Sequence, residues 1–86
     1  MLVPDDLFRY RPGVLEQLLR HGVRPKPHTP PGVVRAFLND LYRYELRRLR
    51  GRLLDGSIAK PDYASHVVGL RERYALLSLP PALWTY

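Results

Sequence analysis

The chain contains no cysteine, which removes disulfides, thiolate metal sites and cysteine nucleophiles together. That absence fits a cytoplasmic location, where disulfides are rare. No run of about 18 apolar residues occurs, so no segment is expected to span a bilayer. The opening Met1-Leu2-Val3-Pro4-Asp5-Asp6 is acidic and lacks the basic start and apolar middle of a signal peptide. There is no glycine-rich phosphate loop, and Ser57, Ser65 and Ser78 lack a nucleophile-elbow context. The three histidines, 21, 28 and 66, stand in separate segments. Zinc needs four converging ligands, usually with closely spaced Cys or His, so neither a metal nor another cofactor is expected.

Asparagine, glutamine and methionine occur once each and lysine twice, whereas arginine occurs twelve times and the net charge is +6. A strongly basic balance suggests nucleic-acid binding. A GC-rich bacterial genome gives the same excess of Arg, Leu, Pro, Gly, Val and Ala whatever the partner, and a thermophilic source is compatible with it. Compositional bias does not, however, explain why Arg43, Arg47, Arg48, Arg50 and Arg52 stand together. At 86 residues the chain is expected to be one small domain (1–86) that buries only about 60–65% of its unfolded surface.

The apolar spacing predicts an all-α fold of three helices. Pro4–Tyr10 is expected to form a short turn. Val14, Leu15, Leu18 and Leu19 follow helical spacing, and Gly22 ends a helix of about 13–21. Four prolines between Val23 and Pro31 forbid helix and predict a stiff, extended connector over 23–31 rather than a ligand for a proline-reading domain. Thr29 is expected to cap a long helix of about 30–55 that begins at the Pro30-Pro31 pair and stops at Asp55-Gly56.

On that helix Tyr42, Leu46, Leu49 and Leu53 form one stripe, displaced from an earlier one through Val34, Phe37, Leu38 and Leu41. Pro61 and Asp62 open a third helix of about 61–78, on which Tyr63, Val67, Leu70, Tyr74 and Leu77 repeat at 4, 3, 4 and 3. The short Gly56–Lys60 link makes the second and third helices an antiparallel hairpin. Those nine residues are expected to be either core or a dimer interface. In the tail (79–86), Leu83 and Trp84 are expected to be anchors that dock on the leading half of the central helix, around Val34, Phe37 and Leu41, the Trp84 indole N–H meeting a carbonyl or water.

The stretch from Leu49 to Leu77 resembles short bacterial helical-hairpin modules that read a leucine-rich helix, Gly-x-Ile, then an acid–aromatic pair opening a second helix. Gly56, Ile58, Asp62 and Tyr63 carry the resemblance, which names no family.

No constellation suggests catalysis. Carboxylates are scattered, a fold this small has little room for a cleft of about 300 Å³, and Asp62 with His66 reads as a local hydrogen bond. A non-enzymatic helical module that binds another protein or pairs as a homodimer is therefore expected. The alternative is a nucleic-acid-binding protein using Arg43, Arg47 and Arg50 on phosphates. Arg48 or Arg52, on the side nearer the first stripe, is expected to meet a carboxylate; the alternative is that their stems lie over the core with the heads in solvent.

Overall fold

The computed structural model describes residues 7–86. It is all-α: helices α1 (Pro12–Arg20), α2 (Pro31–Leu54) and α3 (Lys60–Arg73) are followed by 3-10 helices at Ala75–Ser78 and Pro81–Leu83. No strand occurs among the described residues, only an isolated bridge between Tyr10 and Thr85. The chain divides into two compact units, one made of the residues up to Ala36 together with Leu76–Tyr86, the other of Phe37–Ala75. The turn expected over Pro4–Tyr10 lies partly outside the described residues, and Leu7–Tyr10 is not helical.

In the first unit, α1 begins with Pro12, whose missing N–H has no intrahelical partner at that position in any case. It ends on Gly22, which adopts φ +73°. The Gly22 N–H reaches the Leu19 carbonyl at 2.9 Å and the Val23 N–H reaches Leu18 at 3.0 Å, so two terminal carbonyls are satisfied. Val14 and Leu18 face the core. The proline-rich connector is extended only as far as Lys26, and a turn then closes with the Thr29 N–H on the Lys26 carbonyl at 2.9 Å.

That turn changes how α2 starts. The Thr29 hydroxyl accepts the Lys26 N–H at 3.3 Å instead of capping the helix, and the Thr29 carbonyl accepts the Tyr10 hydroxyl at 2.5 Å. The Pro30 carbonyl takes the first helical bonds, from Val33 at 3.1 Å and Val34 at 3.3 Å.

The tail is part of the same unit. The Arg11 N–H donates to Trp84 at 2.9 Å and the Tyr86 N–H to Arg9 at 3.0 Å, which pairs the tail antiparallel with Arg9–Arg11. Trp84 is fully buried and its indole N–H donates to the Leu79 carbonyl at 2.9 Å. Burying one tryptophan removes about 150–250 Å² of largely apolar surface, about 4–6 kcal/mol before ordering costs. The Tyr86 ring lies under two guanidinium groups, Arg11 at 4.8 Å and Arg9 at 5.8 Å.

In the second unit, α2 ends at Asp55-Gly56, with Gly56 at φ +84°. The Asp55 carboxylate accepts both the backbone N–H of Ser57, at 2.9 Å, and its hydroxyl, at 2.5 Å. These bonds hold the Asp55 carboxyl below its ordinary pKa, with a smaller contribution from the Arg52 charge. Ile58 is buried behind the turn. The third helix is shorter than its apolar spacing predicts: α-helix stops at Arg73, and residues 75–78 tighten into a 3-10 turn. Two causes act here. Pro80 disfavours α conformation at Leu79. Within the first unit, the carbonyls that a longer helix would turn inward are taken by side chains, Leu77 by Arg35 Nη2 at 2.6 Å and Leu79 by Trp84.

Candidate functional site

The candidate site lies on the Phe37–Ala75 unit, and burial along α2 defines it. Leu38 and Leu49 are buried and Tyr42, Leu46 and Leu53 half-buried, so this side of the helix is turned inward. On α3 and the turn beyond it, Leu70 and Tyr74 are buried and Tyr63, Val67 and Leu77 half-buried. None of the nine seam residues is therefore left exposed. The Tyr42 and Tyr74 rings meet at 5.1 Å with a 50° tilt.

A hydrogen bond that no spacing argument foresaw holds this seam. Tyr74 donates its hydroxyl to Glu45, and Arg73 lies 3.8 Å from the same carboxylate. Burial first, then the hydrogen bond and the Glu45 charge, push the Tyr74 phenol far above its ordinary pKa. The sequence signal was available: Glu45 is the one acid among the five arginines, and it follows Tyr42 by three positions on the seam side.

The opposite side of α2 is open. Arg43, Arg47 and Arg50 are all exposed. Among them stand three large apolar residues that are also exposed, Phe37 (53%), Tyr44 (52%) and Leu54 (77%). Phe37 and Tyr44 are one heptad apart and so share a line along the helix. Gly51 lies on this side too, with nothing within 4 Å of where a side chain would stand.

Arg48 and Arg52 are exposed and make no ion pair among the described residues, so the carboxylate contact expected for them is not formed. Arg48 instead holds its guanidinium 5.9 Å from the Tyr44 ring centre. An exposed guanidinium keeps its hydration while its stem covers apolar surface, so the cost that made a carboxylate necessary does not arise. Both arginines line a groove of about 250 Å³ with Glu45, His66 and Arg73, over Leu49 and Leu70. Asp62 and Ser65 border an adjoining shallow depression that shares His66 and Arg73. Asp62 and His66 are exposed and form no hydrogen bond with each other among the described residues.

In the tail, Trp84 is buried and Leu83 is half exposed, so the indole is the anchoring group and the leucine points outward. No group of three or more metal-ligating side chains occurs among the described residues, and none of their helices is long and apolar enough to cross a membrane. The chain matches no family model, no curated protein and no solved structure.

Proposed function

We propose that the protein is a non-enzymatic interaction module, built on an antiparallel hairpin of α2 and α3, that binds a partner protein through the open side of α2. The hairpin is supported by Tyr42 and Glu45, in the middle of α2, meeting Tyr74 and Arg73 at the end of α3. The observation that carries the binding reading is the trio Phe37, Tyr44 and Leu54, each more than half exposed on a face whose other side supplies the core. Gly51 strengthens it: a glycine inside a helix costs about 0.5–1 kcal/mol relative to alanine, and no contact within this chain requires one there. A close-approaching partner would.

Charge selects the partner. On the open side of α2, Arg43, Arg47 and Arg50 stand with Asp40 as the one exposed acid of that helix. Two copies of such a helix repel, so an acidic amphipathic helix fits this face better than a second copy of the chain. The homodimer expected from the seam is less well supported, because none of the nine seam residues is exposed. Phe37→Ser with Tyr44→Ser tests the reading: a partner recovered with the natural chain should be lost with the folded double variant and weakened by salt. Retention of that partner by the variant would sink the proposal. A mass in light scattering near twice 10.0 kDa, abolished by the same substitutions, would make the occupant a second copy.

The nucleic-acid reading keeps one specific support: Arg43, Arg47 and Arg50 are exposed and outside any ion pair among the described residues. Phosphate contacts would give log K falling against log salt with a slope of about −0.9 per phosphate neutralised on duplex DNA. A mobility shift that is absent at low salt rejects it.

A further inference from the structure

On the Phe37–Ala75 unit, four cationic or imidazole side chains line one half-open groove. Arg48 and Arg52 enter it from α2, His66 and Arg73 from α3. Glu45 is the only acid lining it, and that carboxylate is already engaged by the Tyr74 hydroxyl and by Arg73. Arg48 and Arg52, one turn apart, are like charges that form no ion pair among the described residues, and Glu45 alone does not balance the groove's three arginines. Removing the groove's excess positive charge takes an anion, and a small one, because the space is about 250 Å³.

We propose that this groove binds the phosphate monoester of a small hydroxylated molecule. The dianion matches two guanidinium forks, each able to donate two parallel hydrogen bonds, and a carboxylate or sulfate monoanion leaves one of them unmatched. His66 stands at the junction with the neighbouring depression, where it can donate to a phosphate oxygen. That depression carries the Ser65 hydroxyl and the Asp62 carboxylate, which suit the hydroxyl groups of the esterified part. The apolar floor, Leu49 and Leu70, is buried and keeps the arginine heads at the surface. Arg43, Arg47 and Arg50 do not line this groove; the groove and the open side of α2 touch only through Arg48, whose guanidinium lies over the Tyr44 ring.

Amide and arginine side-chain NMR spectra during titration with phenyl phosphate, at fixed ionic strength, test the site. Saturable shifts are expected at Arg48, Leu49, Arg52, His66, Gly69 and Leu70. Phenyl sulfate should bind at least about tenfold more weakly, as should Arg48→Ala and Arg52→Ala, since each loses charge-assisted hydrogen bonds. Arg71→Ala, on an exposed α3 position outside the groove, should bind as the natural chain does. The same spectra show whether each variant is folded. Shifts that stay linear into the millimolar range, equal affinity for the sulfate, or undiminished binding by the two arginine variants would overturn the proposal. Glycerol 2-phosphate serves as the hydroxylated probe, and tighter binding than phenyl phosphate is the expected result. Weaker binding would reject the hydroxylated ligand while leaving a phosphate site.

Discussion

Tyr74 donates a hydrogen bond from its hydroxyl to Glu45, and through that bond the residue that caps α3 is fastened to the middle of the longest helix. Tyr74 stays protonated in the folded chain well beyond the ordinary phenol value of 10.0. The unfolded chain ionises first, so the stabilisation is complete below that value and is lost as pH rises beyond it. Urea unfolding should therefore show stability falling above pH 10.0, and Tyr74→Phe should flatten that fall. Some slope should remain, because burial raises the Tyr10 phenol as well. An identical alkaline slope in natural and variant chains would contradict this. At neutral pH the variant should lose about 1 kcal/mol.

Trp84 is the largest fully buried side chain, and its removal leaves a cavity as well as an unpaired Leu79 carbonyl. Trp84→Ala should cost about 3–5 kcal/mol, and in a domain of this size each kcal/mol lowers the melting temperature by about 4–8 °C. Leu83→Ala, half exposed beside it, should stay within about 0.5 kcal/mol of the natural chain. Equal losses for both variants would show that the tail is held by something other than its indole.

Two glycines on or next to α2 should respond with opposite signs to the same substitution. Gly56→Ala places a side chain at φ +84°, with a cost of about 1–2 kcal/mol. Gly51→Ala meets no atom within 4 Å and removes helix-interior freedom, so it should stabilise by about 0.5–1 kcal/mol. Melting temperatures of the two variants decide the matter. In the presence of its partner, the Gly51 variant should bind less well despite its greater stability.

Arg35 differs from the other arginines of its helix. Its Nη2 donates to the Leu77 carbonyl at 2.6 Å, and its Nε is buried without a hydrogen-bond partner among the described residues. Arg35→Ala should cost about 1–3 kcal/mol, since a carbonyl loses a charged donor, whereas Arg50→Ala should change stability by less than about 0.5 kcal/mol. Denaturant midpoints that are indistinguishable would mean water replaces the Arg35 contact without loss.

The all-α class was legible because periodicity and stop signals agree locally: Pro12, Gly22, Pro31, Gly56 and Pro61 each stand within a residue or so of a helix boundary. The seam Tyr42–Leu77 was legible for the same reason, as a repeat along a helix. What stayed hidden depends on distant partners. Thr29 has an N-cap's chemistry, but its hydroxyl and carbonyl are claimed by Lys26 and Tyr10. Residues 74–78 have helical spacing, but Pro80 and the groups that take the nearby carbonyls tighten them. Arg48 and Arg52 are exposed, and an exposed guanidinium does not need a carboxylate. Spacing ranks faces of a helix; it does not say which face another segment will cover.

The bridge between Tyr10 and Thr85 has a consequence for the order in which the chain assembles. Phe37–Ala75 is continuous in sequence, so its contacts close short loops, and a nascent chain holds all of it before Leu76 emerges. The other unit must wait for the tail, because the bridge and the backbone bonds from Arg11 to Trp84 and from Tyr86 to Arg9 join residues more than seventy positions apart. Closing so long a loop carries a larger entropic penalty. In pulsed hydrogen exchange, Leu49 and Leu70 should gain protection ahead of Val14 and Leu18, so α1, although it precedes α2 and α3 in the chain, should become native after them.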